Sequence, residues 1–236
     1  MPFISKKIKG FCDIVICVDA TGSMSPCIEA LKNQIRTFIS GLEKPADANT
    51  VPLNWRLKVM GFRDLNSGEG FINFEAPMVK TAAEAQAHVD LLEAGGGGDE
   101  PESALDALWH AAVKTPWRPT PEDPSPARRV VILFSDASAH PTLHRDTVKA
   151  GAAGSDIDAV RRALSDNNVY AYVWAPECPA WADLALQNRF LVLSPIVDAG
   201  TGLASLDFTK LLSHLGKTLS QAATGFDGAG QTRAAS

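Results

Sequence analysis

The apolar residues of the chain are concentrated in short runs that polar, glycine-containing loops separate. Two of these runs, Asp13–Val18 (DIVICV) and Arg129–Ser135 (RVVILFS), are almost wholly apolar and rich in β-branched residues. Such runs are typical of strands that are buried on both faces, as in a parallel sheet. Weaker strand patterns occur at 55–62, 169–174 and 190–193.

Between these strands lie segments whose apolar residues recur with the period of a helix. Ser25 and Pro26 form an N-cap and first helical position, and an apolar face follows over 28–42. Thr81 and Glu84 form a capping-box pattern that predicts a second helix. Further helices are predicted at 103–114, 156–167 and 207–223.

The order of these elements predicts the fold class. Strands that alternate with helices of ten or more residues indicate βαβ units with right-handed crossovers. We therefore expect an α/β fold: a single doubly wound (Rossmann-like), mostly parallel sheet with helices on both faces. The segment 71–79, which Pro77 breaks, is expected to be an antiparallel edge strand. Residues 1–224 are expected to form one domain, and residues 225–236 a disordered tail.

Composition excludes several classes of function. The 236 residues are 45% hydrophobic and 21% charged, as in an ordinary globular protein, and the chain is long enough to bury a core without a disulfide or zinc. The net charge of −5 argues against binding to nucleic acid or to an anionic membrane surface. The sequence lacks the run of about 18 apolar residues that would predict a membrane-spanning helix.

The cysteines and the amino terminus indicate the cellular compartment. The chain has four cysteines: Cys12, Cys17, Cys27 and Cys178. They form no CxxC pair and no Cys/His zinc spacing, so we expect reduced thiols of a cytoplasmic protein. The first apolar run is short and is interrupted by Asp13 and Asp19, which is typical of a strand and not of a signal peptide.

Three acidic loops are expected at the same edge of the sheet. Asp19, Thr21 and Ser23 follow the first strand at alternate positions, where side chains can face the same way. Asp99 lies in a run of glycines before the third helix, and Asp136 ends a later strand. Three carboxylates and two hydroxyls make an all-oxygen site, which hard cations such as Mg²⁺ prefer.

The segment Asp19–Met24 (DATGSM) after an apolar strand resembles the metal-ion-dependent adhesion site (MIDAS) of von Willebrand factor A (vWA) domains. Asp136 matches the last metal-site aspartate of that family, and 95–102 (GGGGDEPE) resembles a segment that some members carry. The resemblance covers about residues 10–223. It implies a non-enzymatic domain that binds Mg²⁺, with Mn²⁺ or Ca²⁺ as alternatives, and that binds a partner protein.

Asp99 departs from the family pattern, which usually has a threonine at this position. Three carboxylates and a dication sum to a charge of −1, so the ion would be held more tightly but would attract an acidic side chain of a partner less. The implied metal ligands are Asp19, Thr21, Ser23, Asp99 and Asp136. Two alternatives stay open for Asp99: contact with the ion through water, and capping of the third helix.

Four more residues are candidates for supporting the metal ligands or for facing a partner: Asp64, Glu102, Ser135 and His140. Asp64 ends the second strand, and the alternative role for it is a turn or an ion pair with Arg63. Glu102 fits the first turn of the third helix. Ser135 flanks Asp136 and is typical of a group that caps the backbone.

The loop after Asp136 contains two histidines. His140 and His144 have the spacing of a metal pair on one helix face, but Pro141 lies between them. We therefore expect loop histidines beside the acidic cluster.

Two other classes of function stay open. Asp19-x-Thr21-Gly22 after a buried strand also resembles the aspartyl-phosphate loop of haloacid dehalogenases and P-type ATPases, in which a carboxylate attacks phosphorus. The chain lacks that class's second Asp, and no clear acidic pair follows Asp136. The other class is a structural subunit with an empty metal site. The vWA resemblance instead implies an adaptor in an ATPase, kinase or stress-response assembly.

Overall fold

The computed structural model describes residues 10–43, 53–98, 100–196 and 203. Within these residues one sheet consists of β1 (Phe11–Asp19), β2 (Asn54–Phe62), β3 (Phe71–Ile72), β4 (Arg128–Phe134), β5 (Val169–Ala175) and β6 (Leu191–Pro195). The strands lie in the order β3-β2-β1-β4-β5-β6. Every neighbouring pair is parallel except β2 and β3, which are antiparallel. The predicted doubly wound, mostly parallel α/β fold is therefore confirmed.

Helices cover both faces of the sheet. They are α1 (Ile28–Glu43), α2 (Ala82–Asp90), α3 (Ala104–Lys114), α4 (Arg145–Lys149), α5 (Ile157–Asp166) and α6 (Pro179–Ala185). Successive residues of β1 point to opposite faces. Ile14 and Ile16 belong to the apolar cluster with α1 and α2, whereas Val15 and Cys17 belong to the cluster with α3, α5 and α6. Both faces of β1 are buried, which is why its apolar run is continuous and not alternating.

The predicted edge strand 71–79 is much shorter than expected. β3 covers two residues, and Asn73 then adopts a positive φ of 58°. Val79 forms only an isolated antiparallel bridge with Leu57. Pro77 lies between these two short pairings and has no N–H to donate to a ladder.

Helix bounds also differ from the sequence-based expectation. α1 begins at Ile28 and not at Pro26, because Gly22–Met24 form a 3₁₀ turn first. α4 and α6 have five and seven residues, too few to show a helical period in the sequence. The predicted helix 207–223 and tail 225–236 lie outside the described residues, so the domain bounds stay predictions.

The four cysteines are free thiols. Cys12, Cys17 and Cys27 are buried, and Cys178 is partly exposed. In the part of the chain that the structure describes, no helix combines the length and the apolar character that crossing a bilayer requires.

The strand order places a crevice at the carboxyl ends of β1 and β4. From β1 the chain first adds β2 on one side, and it later crosses to add β4 on the other side. Adjacent parallel strands whose connections leave in opposite directions define the position at which doubly wound sheets bind ligands. Asp19 is the last residue of β1, and Asp136 lies two residues after β4.

A cluster of buried charged side chains lies near the amino-terminal ends of the strands, away from the crevice. Asp13 and Arg118 are both fully buried. The carboxylate of Asp13 accepts hydrogen bonds from Arg56 Nη2 at 2.5 Å and from Arg118 Nε at 2.7 Å. Arg118 also donates to the carbonyl groups of Cys12 and Asn54. It therefore connects the proline-rich segment 115–127, in which it lies, to β1 and β2.

We expect Asp13→Asn to lower the free energy of unfolding by about 3 to 5 kcal/mol, because it removes the buried negative charge that pairs with two buried guanidinium groups and leaves Arg118 only the longer pair with Asp123. Urea unfolding measures this loss. The control is Asp90→Asn, which breaks a 2.7 Å pair between Arg36 and an exposed carboxylate and should cost less than about 1 kcal/mol. Equal losses in the two variants would show that the Asp13 cluster is not a structural support.

Candidate metal centre

Asp19 is the most deeply placed group of the candidate site. Its side chain is fully buried at the end of β1. Asp19 Oδ1 accepts hydrogen bonds from the backbone N–H of Thr21 at 3.0 Å and from Thr21 Oγ1 at 2.6 Å. Asp19 Oδ2 accepts a hydrogen bond from Ser135 Oγ at 2.7 Å. The structure thus joins the loop after β1 to the loop after β4 through this one carboxylate.

The hydroxyl groups of Thr21 and Ser23 lie side by side, with their oxygens 3.1 Å apart. Ser23 Oγ donates to Asp136 Oδ1 at 3.0 Å, just as Thr21 Oγ1 donates to Asp19. A hydroxyl has one proton, so with both carboxylates ionised neither oxygen has a proton left for the other. Two lone-pair-bearing oxygens therefore face each other. Neighbouring ligand oxygens of an octahedral Mg²⁺ are about 3.0 Å apart, so the pair fits a small dication.

The glycine run lies directly against the loop after β1. Gly22 N–H donates to the carbonyl oxygen of Gly96 at 2.9 Å, and Gly95 N–H donates to that of Ala20 at 3.0 Å. Gly97 has a φ of +81°, and a Cβ there would lie 2.9 Å from Thr21 Cβ. The close approach of the two backbones therefore requires glycine at position 97.

Asp99 lies outside the described residues, so its role as a metal ligand stays a prediction. The alternative that it caps α3 is wrong, because that helix begins at Ala104 with Ser103 at the N-cap. Glu102 likewise precedes the helix and is not in its first turn. Ser103 Oγ donates to Asp64 and accepts from the N–H of Leu65. The N-cap residue of α3 therefore holds this helix against the loop after β2.

Glu102 is held beside the loop after β4. Its N–H donates to the carbonyl oxygen of Ser138 at 2.9 Å, and its carbonyl oxygen accepts from the N–H of His140 at 3.0 Å. The residue is 3% exposed, and Oε2 has no hydrogen-bond partner among the described residues. Burial, followed by the negative charges of Asp19, Asp64 and other carboxylates, raises the pKa of Glu102 to about 8.

Negative charge in this cluster is not compensated by the residues that the structure describes. Within the described residues, no lysine or arginine forms an ion pair with Asp19, Glu102 or Asp136. Burial raises the pKa of Asp19 to about 6, although hydrogen bonds from Thr21 and Ser135 oppose that shift. Burial also raises the pKa of Asp136. A divalent cation would supply the missing positive charge.

The described part of the chain contains no group of three His, Cys, Asp or Glu side chains that could hold a metal ion among themselves. The candidate centre therefore consists of two carboxylates and two hydroxyls, to which the predicted ligand Asp99 would add a third carboxylate. Such a set contains only oxygen donors, which suits Mg²⁺.

Asp64 organises the neighbouring loop by accepting four hydrogen bonds. The donors are Asn66 N at 3.1 Å, Ser67 Oγ at 3.0 Å, Ser103 Oγ at 3.0 Å and His140 Nε2 at 3.0 Å. Burial alone would raise the pKa of Asp64, but these hydrogen bonds lower it below its ordinary value. The structure thus brings Asp64 and His140 together at the edge of the cluster. His144 is not part of it, because its side chain caps α4 by accepting from Asp146 N.

Arg63 does not pair with Asp64, so the ion-pair alternative is wrong, whereas the turn alternative is confirmed because Asp64 caps the 3₁₀ turn Leu65–Ser67. It pairs with Glu69 at 3.3 Å and donates to the carbonyl oxygens of Ala20 and Glu93, both at 3.1 Å. Glu69 Oε1 in turn accepts from the N–H of Gly97 at 3.2 Å. Local sequence patterns do not reveal Arg63 and Glu69, because their partners lie on three separate loops. The one available signal was an arginine placed directly after a strand.

Ser135 has both of the roles considered for it. Its hydroxyl donates to Asp19 and also accepts from the N–H of Ala137 at 3.2 Å, which is the predicted backbone-capping contact.

No family model and no curated protein matches the chain. Several solved structures, in contrast, are similar to this chain. Proximal thread matrix protein 1 (PTMP1) from the mussel byssus is 13% identical, with a TM-score of 0.50 over 91% of this chain and 46% of that chain. A structure of PTMP1 with a zinc-occupied MIDAS motif has a TM-score of 0.51 and the same coverage. The pilus adhesin SpaC from Lactobacillus rhamnosus GG, in its open conformation, is 14% identical, with a TM-score of 0.53 over 90% of this chain and 30% of that chain.

This chain therefore spans less than half the length of each of these proteins. At such low identity the likeness concerns the fold, and it shows that the chain has a vWA-like α/β fold. The similarity covers 90% or 91% of this chain.

The buried carboxyl group of Glu102 should make the metal-free protein less stable as the pH rises from about 5 to about 8. The folded pKa of about 8 exceeds the ordinary value of 4.5, so the folded state binds an additional proton between these values. The free energy of unfolding then falls with rising pH, and Asp19 contributes in the same direction. Urea unfolding in EDTA at several pH values measures the slope.

We expect Glu102→Gln to make this slope shallower. The control Glu93→Gln removes the same charge from an exposed side chain and should leave the slope unchanged. A slope that is identical in the wild type and in Glu102→Gln would contradict the prediction.

Replacement of Gly97 tests the contact between the glycine run and the loop after β1. Alanine at a positive φ costs about 1 to 2 kcal/mol, and the clash with Thr21 should add at least about 1 kcal/mol. Gly68→Ala is the matched control, because Gly68 has a φ of +79° but open space around the added Cβ. Chemical denaturation should therefore show a larger loss for Gly97→Ala, and equal losses would contradict the close approach.

Proposed function

We propose that this chain is a vWA-like domain that binds a divalent cation and uses it to bind a partner protein. The proposed ligands are Asp19, Thr21, Ser23, Asp99 and Asp136. The observation that carries the proposal is the 3.1 Å contact between the hydroxyl oxygens of Thr21 and Ser23, whose protons are both donated to carboxylates. The all-oxygen donor set favours Mg²⁺, with Mn²⁺ or Ca²⁺ as alternatives.

The surrounding residues orient these ligands. Ser135 holds Asp19 through Oδ2, while the N–H and hydroxyl of Thr21 hold its Oδ1. Ser23 fixes one oxygen of Asp136 and leaves the other for an ion. Such supporting hydrogen bonds raise metal affinity because they pay in advance for ordering the ligands. A bound dication supplies an electrophilic centre that a partner's oxygen ligand can reach.

A binding role without catalysis agrees with both kinds of protein that share the fold, a matrix protein and an adhesin. Asp19 is also a poor candidate for a nucleophile, because it is fully buried and each of its oxygens accepts a hydrogen bond. The zinc in the MIDAS motif of PTMP1 supports a divalent cation at this position and makes Zn²⁺ a necessary comparison.

The cellular setting is a further part of the proposal. We infer a cytoplasmic adaptor within a multi-protein assembly, associated with an ATPase, a kinase or a stress response. Its support is the vWA resemblance together with four free thiols, three of them buried. The net charge of −5 favours a protein partner over nucleic acid or an anionic membrane.

Isothermal titration with Mg²⁺, Mn²⁺, Ca²⁺ and Zn²⁺ tests metal binding. We expect one ion per chain in the wild type and no measurable Mg²⁺ binding in Asp19→Ala or Asp136→Ala, because each variant loses a buried carboxylate of the site. Asp90→Ala removes an exposed carboxylate and should bind as the wild type does. Partner capture should be lost in EDTA and in Asp19→Ala. If Asp19→Ala retains both Mg²⁺ binding and partner capture, the proposed function is wrong.

A further inference from the structure

A groove between α5 and the segment 187–190 has a lining that is rich in arginine. The segment leads into β6, which is parallel to β5, so it lies at the amino-terminal ends of the strands and away from Asp19 and Asp136. The groove has a volume of about 520 Å³, within the range of about 300 to 1,000 Å³ that is typical of ligand sites. Three arginines and one aspartate line it, so its charged side chains sum to +2 in a chain whose net charge is −5.

Arg189 is the arginine of this lining that has no acidic partner. Among the residues that the structure describes, no carboxylate forms an ion pair with it. Its guanidinium lies over the ring of Phe190, 5.0 Å from the centroid. Phe190 is buried and its ring lies 5.2 Å from that of Tyr170, so the support under the guanidinium is fixed. The ring contact thus orients a positive charge whose N–H donors lack an anionic acceptor.

Asn188 adds a buried donor to the same wall. The residue is 8% exposed, and its Oδ1 accepts from the N–H of Phe190 at 3.1 Å. This hydrogen bond fixes the amide group, and Nδ2 has no hydrogen-bond partner in the described part of the chain. A buried amide donor without an acceptor is unfavourable, and proteins usually provide one. Because Asn188 lines the groove, a ligand bound there can supply that acceptor.

The two arginines of α5 differ in how far they are already used. Arg161 pairs with Asp158 and donates to the carbonyl oxygen of Asp183 at 2.8 Å, so it serves the wall of the groove. Arg162 lies 3.7 Å from Asp156, and the two side chains are 49% and 68% exposed. An exposed pair at this distance contributes little stability, so Arg162 can turn to a ligand at little cost.

We propose that this groove binds a phosphate group on a phosphorylated serine or threonine of a partner protein, through Arg162, Asn188 and Arg189. All three groups are donors, so the ligand has to bring acceptors and negative charge. A phosphate monoester carries about −1.5 to −2 at pH 7 and has three acceptor oxygens, and arginine matches its geometry well. A carboxylate carries −1 and has two oxygens, so it matches the charge of +2 less closely.

The size of the groove favours a phosphorylated protein over free phosphate as the source. An isolated phosphate ion would fill only part of about 520 Å³, whereas the residues on either side of a phosphorylated side chain would occupy the remainder. This site goes beyond the proposed function, because it requires no metal ion and lies at the other end of the sheet. It would give the domain a second contact with a partner.

A peptide of glycine, phosphoserine and glycine with blocked ends, titrated into the ¹⁵N-labelled full chain, tests the proposal. EDTA is present throughout, because phosphate could otherwise bind to a cation at the metal centre. We expect saturable shifts of the Asn188 Nδ2 and Arg189 Nε signals, with one site per chain. The peptide with unmodified serine should cause no such shifts, and the peptide with glutamate should bind more weakly because it offers fewer acceptors.

Arg189→Gln removes an exposed charge, so the variant should stay folded. Its affinity for the phosphopeptide should fall by about tenfold or more, since charge-assisted hydrogen bonds are lost, while Mg²⁺ binding stays as in the wild type. Arg145→Gln, at an exposed arginine of α4, is the matched control and should bind the phosphopeptide normally. Asp19→Ala should do so too.

Three results would overturn this inference: no saturable binding of the phosphopeptide, unchanged affinity in Arg189→Gln, or equal affinity for the glutamate peptide. Inorganic phosphate that binds as tightly as the phosphopeptide would also overturn it, because the groove would then recognise the free ion. None of these results bears on the metal centre. A chain that binds the phosphopeptide but no divalent cation would contradict the proposed function alone.

Discussion

The rest of the site depends on the buried carboxylate of Asp19, which accepts from hydroxyl and amide donors and has no lysine or arginine partner among the described residues. Asp13, six residues earlier on the same strand, shows the contrast. It is equally buried, but two arginines neutralise it. One strand thus carries two buried aspartates: two arginines pair with Asp13, whereas no lysine or arginine of the described residues pairs with Asp19. The first stabilises the sheet, and the second defines the site.

Parallel pairing of β1 with its neighbours made much of this predictable. Apolar runs that are continuous and not alternating identified β1 and β4, and the rule that ligands bind at the carboxyl ends of strands placed Asp19 and Asp136 together. Their side chains do come together, because Thr21 and Ser23, whose hydroxyl oxygens are 3.1 Å apart, donate to Asp19 and Asp136 respectively. The capping box at Thr81 was also correct, because it depends on only four consecutive residues.

Other features depend on contacts that local patterns do not record. Glu102 was expected in the first turn of the third helix, yet a bridge to the loop after β4 holds it outside that helix. Arg63 and Glu69 join three loops that are far apart in the sequence. The edge strand was overestimated because its amino acids suit a strand, while a positive φ at Asn73 turns the chain away.

The spacing of Thr21 and Ser23 has a consequence for which ions the site selects. Their oxygens are 3.1 Å apart, and each is tethered to a different carboxylate. Calcium accepts seven or eight ligands, whose oxygens lie closer together, but with six ligands at about 2.4 Å it would require neighbouring oxygens about 3.4 Å apart. Separating the two hydroxyls to that extent would strain both tethers at once. In the proposed site, the spacing therefore favours Mg²⁺ over six-coordinate Ca²⁺ and admits Ca²⁺ only with a larger coordination shell.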